Sequence, residues 1–308
     1  MNKLKKLLYD PKLALNVLNR RYLNVSFVEK VFTHKSEYRS DSENGNYAAA
    51  IIKVLSSQKD FDNFKRNFDY RAILEHVSFD QGSDYLDIVL SRNDGLFSEA
   101  LNSIFNSDEV GNPIKYEYSI HNKLYKLSPT TLRYLKVASD IQGLFGKNLD
   151  RIAEIGCGYG GQALVNDQLL NFKQVTLFDL PLVNKLISRY LNAVILNGSY
   201  RVITINEVLP EKYDLVISNY AFSELPSALQ KSYIKKVLVN STRGYLTMNS
   251  GLLGVHSAGK LSLKELRELL PPFEIYEEKP NTYEFNYIIA WGHNKDFAKK
   301  HLTLKHIE

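Results

Sequence analysis

A chain of 308 residues has room for two modest domains, or for one domain with a large extension, and its 44% hydrophobic and 24% charged content excludes a disordered or fibrous protein. The net charge of +5 suits an anionic ligand but does not call for nucleic acid, and no apolar run approaches the roughly 18 residues of a membrane-spanning helix. The single cysteine, Cys157, excludes an internal disulfide and, with no signal-peptide pattern at Met1-Asn2-Lys3-Leu4-Lys5-Lys6-Leu7-Leu8, predicts a reducing, cytoplasmic location.

In chain order, residues 1–127 read as mostly helical and irregular. Leu4, Leu7, Leu8, Leu13, Val17 and Leu18 form apolar stripes broken at Asp10-Pro11, beside Lys3, Lys5, Lys6, Arg20 and Arg21. Residues 1–22 therefore predict a helix that docks on the body or on a second copy in a homo-oligomer, or one that makes weak contact with an acidic membrane surface. Residues 34–47 are polar and aperiodic and read as a loop. Short helices follow at 48–55, 61–68, 84–90 and 96–105. A break at 106–118 is punctuated by Gly111 and Pro113, and Ser128-Pro129 then opens a helix that Gly146 ends.

From there strand and helix alternate. Strands are expected at 152–155, 175–178, 202–205, 215–217 and 245–248, and helices at 182–191, 229–239 and 262–270. A last strand pair is expected at 273–277 and 285–291. This pattern predicts an α/β fold with a mostly parallel sheet and helices on both faces. No internal repeat is visible. The 20 tyrosines and 15 phenylalanines serve either core packing or an aromatic-lined cleft for a sugar ring.

The apolar run at 152–155 leads into Gly156-x-Gly158-x-Gly160-Gly161 and then a helical pattern through Ala163, Leu164 and Leu170. Strand, glycine turn and helix let backbone amides approach a nucleotide-like ligand. Gly156, Gly158 and Gly161 also satisfy the dinucleotide fingerprint, but the tight Gly158-Tyr159-Gly160 spacing, Glu154 two residues ahead, and the motif's position midway along the chain favour a different nucleoside. Asp179 ends the next strand, 23 residues beyond Gly156, where a carboxylate can accept both ribose hydroxyls or favour the helix that Pro181 starts. Asn206 and Glu207 follow the third strand, near an adenine edge or in an exposed turn. After the fourth strand, Asn219 could hold the donor's backbone, and Glu224 could take a hydroxyl proton or place a charge at a helix start. His256 follows the fifth strand as a second candidate base or a structural histidine. The seven histidines make no HExxH or close pair, so no metal is predicted.

Taken together, Val110-Gly-Asn-Pro113 with Tyr116 and Tyr118, Leu127-Ser-Pro-Thr-Thr-Leu-Arg-Tyr134, Glu154-Ile-Gly-Cys-Gly-Tyr-Gly-Gly161, Phe178-Asp-Leu-Pro181 and Ser218-Asn-Tyr-Ala-Phe-Ser-Glu224 resemble the class I S-adenosylmethionine (SAM) methyltransferases. Within that class they resemble the sugar O-methyltransferases found with bacterial surface-polysaccharide genes, over about residues 108–292. The resemblance implies a Rossmann-like, mostly parallel seven-stranded sheet with a helical N-terminal extension. It implies a helical cap or acceptor domain at 1–127 and a SAM-binding domain at 128–308. It places Tyr118, Thr131, Arg133, Glu154, Gly156, Gly158, Gly160, Asp179, Leu180, Asn206, Glu207 and Asn219 at the cofactor, with Thr131 or Arg133 near the donor's carboxylate. The implied reaction moves a methyl group from SAM to a hydroxyl of a saccharide or sugar nucleotide in capsule or O-antigen synthesis, leaving S-adenosylhomocysteine (SAH), with Glu224 or His256 as base. The segment after Ser218 lacks the Asn/Asp-Pro-Pro-aromatic run of adenine and amide methylation, and the only cysteine lies in the glycine turn. Other acceptors in view are a different small-molecule hydroxyl, or none, in a non-catalytic SAM-binding or membrane-surface scaffold.

Overall fold

Local capping sets most of the helix starts in the first part of the chain. The computed structural model describes residues 45–92, 95–208, 211–249, 259–283 and 286–307; the expectations for residues 1–22 and for His256 lie outside them. Helices α1 (Gly45–Ser56), α2 (Gln58–Phe61), α3 (Phe68–Arg71), α4 (Phe79–Ser91) and α5 (Leu96–Glu109) come first. The Ser57 side chain caps α2, the Asn67 side chain caps α3, and Ser78 forms a reciprocal capping box with Gln81 on α4.

The predicted break at 106–118 is shorter than expected. Helix α5 continues to Glu109, and a hairpin follows, β1 (Tyr116–Ile120) against β2 (Lys123–Leu127). Its two turn residues, His121 and Asn122, have φ of 49° and 61°, the left-handed pair that matches the twist of a two-residue hairpin. Only Tyr118, Ile120 and Leu127 are buried on this ribbon, so its apolar alternation is too sparse to announce two strands.

Helix α6 (Pro129–Phe145) begins after Ser128 and ends at Gly146, as the sequence predicts. There follow β3 (Arg151–Ile155), α7 (Gly161–Leu169), β4 (Gln174–Phe178), α8 (Pro181–Leu191), β5 (Ser199–Ile203), β6 (Tyr213–Asn219), α9 (Ala221–Glu224), α10 (Ser227–Lys236), β7 (Ser241–Met248), α11 (Leu263–Leu269), β8 (Glu274–Glu277), β9 (Tyr287–Trp291) and α12 (Lys295–His301). Strand β5 starts ahead of its predicted position, because its first residues, Ser199, Tyr200 and Arg201, carry little of the apolar signal of an inner strand.

The seven strands order as β5-β4-β3-β6-β7-β9-β8, all parallel except β9, which runs antiparallel to both neighbours. This is the Rossmann-like class I methyltransferase sheet. The order reverses between β3 and β6, and the crevice outside the carboxyl ends of such strands is where ligands bind in open α/β sheets. One core covers a single face of the sheet and takes in the N-terminal helices, joining Ile51, Phe64 and Tyr70 to Leu164, Leu186 and Ile187. A second core lies on the opposite face, around Phe178, Phe222, Leu246 and Trp291. Among the described residues no helix is long and apolar enough to cross a membrane.

Candidate active site

The turn after β3 is built from backbone. Gly156 and Gly158 have φ of 73° and 61°, and a Cβ on Gly156 would stand 2.0 Å from the Cβ of Ala221. A side chain at Gly156 is therefore opposed by both the dihedral and the space. Gly156 N–H donates to the Phe178 carbonyl at 2.8 Å, which ties the turn to the end of β4.

Asp179 stands at that end. Its Oδ2 accepts from Gly158 N–H at 3.1 Å and its Oδ1 from Leu180 N–H at 2.8 Å. Burial pushes this carboxyl up to about 6, and the amides of Leu180, Gly158 and Cys157 pull against the rise by favouring the anion. Glu154, 3% exposed on β3, is pushed further, to about 8, first by burial and then by the charge of Asp179. At neutral pH the pair therefore divides its roles, with Asp179 ionised and Glu154 mostly protonated.

At the end of β6, Ser218 Oγ donates to the Ile155 carbonyl at 2.9 Å and accepts from Phe222 N–H at 3.0 Å, locking β6 beside β3. Asn219 donates from Nδ2 to Gln162 Oε1 at 3.3 Å, while its buried Oδ1 has no hydrogen-bond partner. Tyr220 turns the chain with φ of 68°, its N–H on the Thr247 carbonyl at 2.8 Å and its hydroxyl on the buried Glu278 carboxylate. Asn219, Tyr220 and Glu278 line a narrow cleft with Tyr85 and Arg133. The Arg133 guanidinium forms no ion pair among the described residues; it lies 5.4 Å from the Tyr134 ring centre. Tyr220 belongs to the 218–224 segment that carries the resemblance, whereas Tyr85 and Glu278 carried no sequence signal. All three come from separate segments that only the fold brings together.

The cleft does not reach Asp179, because the N-terminal helices cover the glycine turn. The Leu74 side chain abuts Gly158, whose built Cβ would lie 3.0 Å from it. Tyr159, inside the turn, is the hub of an aromatic cluster. Its ring centre is 5.5 Å from Phe64, 6.4 Å from Tyr70, 6.1 Å from Tyr134 and 4.9 Å from Tyr190. Sequence reading missed this role; the one signal available was a large aromatic side chain between two glycines.

Other expected site residues sit elsewhere. The Tyr118 ring stacks on Phe79 with centres 5.2 Å apart, and its hydroxyl points at Gly82. Thr131 Oγ1 donates to Asp108 Oδ1 at 2.6 Å, and Asp108 also accepts from Ser128 N–H, so this carboxylate caps α6 in place of the Ser128 side chain. Asn206 and Glu207 are exposed. Glu207 accepts from Thr204 N–H and Oγ1, each at 2.7 Å, which holds its carboxyl below the usual range. Glu224 accepts from Asn249 Nδ2 at 2.5 Å and is not among the residues lining the cleft.

This chain matches no family model and no curated protein. Among solved structures it is similar to the mitomycin 7-O-methyltransferase MmcR, at 14% identity and a TM-score of 0.39 over 53% of each chain. It is similar to the magnesium protoporphyrin IX methyltransferase (ChlM) of Synechocystis PCC 6803, solved with bound SAH, at 13% identity and a TM-score of 0.39 over 52% of this chain and 81% of that one. A third similar structure is the PH0226 protein of Pyrococcus horikoshii OT3, at 13% identity and a TM-score of 0.42 over 53% and 89%. The match spans about half the length of the first of these proteins. What the strand order and the antiparallel β9 show is the fold, a Rossmann-like, mostly parallel α/β sheet.

Proposed function

We propose that this chain is a SAM-dependent O-methyltransferase whose acceptor is a saccharide or sugar-nucleotide hydroxyl, in the cytoplasmic synthesis of a surface polysaccharide. One observation carries the reading. The glycine turn is flanked by two polar groups suited to the two ends of that donor: the Asp179 carboxylate at the end of β4 and the unpartnered Asn219 Oδ1 at the end of β6. The donor set fits. Asp179 accepts from the ribose diol, Asn219 Oδ1 accepts from the α-ammonium, and Arg133 pairs with the α-carboxylate. Space for the nucleoside end requires Leu74 to withdraw from Gly158.

When bound, SAM supplies an already electrophilic methyl carbon. The chain's task is then to align an acceptor oxygen, exclude water and remove one proton. Tyr85 and Tyr220 offer aromatic walls for a sugar ring in the cleft. Glu224 and His256 are the proposed bases. Glu278 is added to them, because its carboxylate faces the cleft and orients the Tyr220 hydroxyl. The test is calorimetric titration of the full chain with SAH. Saturable heat that Asp179→Ala and Asn219→Ala each weaken supports the reading. No heat from the unaltered protein overturns it.

A further inference from the structure

Between α3 and α4 the chain passes over the glycine turn as residues 72–77, which form neither helix nor strand. Two consecutive side chains of this crossing meet two consecutive residues of the turn. Leu74 abuts Gly158, where a Cβ would stand 3.0 Å from Leu74 Cδ1. Glu75 is 8% exposed, and the hydroxyls of Tyr159 and of Thr130, at the start of α6, partner its carboxylate. The buried Lys65 ammonium adds an opposite charge. One residue thus plugs the turn, and the next ties the plug to it.

Both ends of the crossing are fixed. Tyr70, fully buried in α3, belongs to the ring cluster around Tyr159. Ser78 opens α4 with its capping box, and α4 lies so close to α6 that a Cβ on Gly82 would stand 3.0 Å from the Cβ of Pro129. The helices behind are clamped as well. Arg189, on α8, donates to the Val54 and Leu55 carbonyls at 2.8 Å and 3.0 Å and to Gln58 Oε1 at 2.8 Å. The span between the fixed ends is held differently. Among the described residues, the amides of Ile73, Leu74 and Glu75 donate only to the turn before them, to the Tyr70 and Arg71 carbonyls at 3.2, 3.1 and 3.3 Å. Ala72, Ile73 and His76 are exposed. A segment with pinned ends and no backbone bond to the body opens at a fraction of the cost of global unfolding. Lys65 does not depend on it, since its Nζ donates to the Ser107 carbonyl at 2.6 Å and lies 4.4 Å over the Tyr159 ring.

We propose that residues 72–77 are a latched gate over the donor site, with Leu74 as the plug and the Glu75 carboxylate, held by Tyr159 and Thr130, as the latch. The inference rests on the donor reading above and adds the control of that site. Donor enters and SAH leaves while the latch is parted, with the flanking helices in place. Once parted, the Glu75 carboxylate exchanges its two hydroxyl partners for water, so the open state buries no unpaired anion.

Hydrogen-exchange mass spectrometry on the full chain tests it, with and without saturating SAH, beside the calorimetric titration. Without ligand, Glu75→Gln and Thr130→Val are each expected to speed exchange across 72–77 by about threefold or more and to leave α1 and α8 as they are in the unaltered protein. SAH is expected to change exchange across 72–77 in the unaltered protein by a similar factor, and to associate faster with Glu75→Gln in stopped-flow mixing. The proposal is overturned if either variant exchanges across 72–77 like the unaltered protein, if α1 and α8 loosen as much as 72–77, or if SAH binds with heat and leaves 72–77 unchanged. Absence of SAH heat while both variants loosen 72–77 alone defeats the donor reading and leaves the latch standing.

Discussion

The two sides of the glycine turn are held by different means. On the sheet side, backbone amides of Gly158 and Leu180 converge on one carboxylate, and little depends on side-chain shape. On the N-terminal side the contacts are almost all between rings, with Tyr159 packed among Phe64, Tyr70, Tyr134 and Tyr190. The first arrangement holds a carboxylate that titrates; the second packs the turn against the N-terminal helices. Loss of function and loss of folding are therefore separable at residues only a few positions apart.

The most severe test of that division is Tyr159→Ala. Removing a fully buried aromatic ring is expected to cost about 3–5 kcal/mol, read as a lower urea midpoint. A change below about 1 kcal/mol would show that the cluster does not hold the cap.

Next in size is the pH dependence set by Glu154. Its carboxyl is near 8 in the fold and has an ordinary value in the unfolded chain. Between roughly pH 4.5 and 8 the folded protein keeps a proton that the unfolded chain releases, so stability is greatest at the acid end and falls as pH rises through the window. The slope is on the order of 1 kcal/mol per pH unit. Glu154→Gln is expected to flatten it, and urea titrations at pH 5 and pH 8 that keep the slope in the variant would remove Glu154 as its source.

Asp179→Ala comes third. Loss of the ribose acceptor is expected to weaken SAH binding about tenfold, or roughly 1.4 kcal/mol. In the unaltered protein, affinity should hold above pH 6 and decline below it as Asp179 takes up a proton. A flat profile from pH 5 to 8 would detach Asp179 from the donor.

The smallest effect is expected at Leu74. Leu74→Ala opens the approach to Gly158 and should raise the SAH association rate about threefold, at a stability cost of roughly 1 kcal/mol for this half-buried side chain. An unchanged rate in stopped-flow mixing would mean that Leu74 does not gate the turn.

What could be read from the chain follows the same division. Gly156, Gly158 and Asp179 were legible because backbone-built sites demand particular residues at fixed spacing. Helix α6 was legible because Ser128-Pro129 and Gly146 mark its ends locally. Tyr85 and Glu278 were not, since a cleft assembled from α4, the turn after β6 and the turn after β8 has no local pattern. The burial of Glu75 and Lys65 has no mark in the sequence, because it comes from packing between distant segments. The hairpin was hidden by its exposure, which leaves too few apolar positions to form a period.

One consequence of the Tyr159 cluster concerns how a fold of this kind diversifies. A phenol ring that belongs to the glycine turn and also plugs the N-terminal helices prevents those helices from being exchanged as a unit. A chimaera carrying another protein's first hundred residues on this sheet would leave that ring without its neighbours. Variation in this chain's descendants is therefore confined to piecemeal replacement at positions outside the cluster, rather than wholesale grafting.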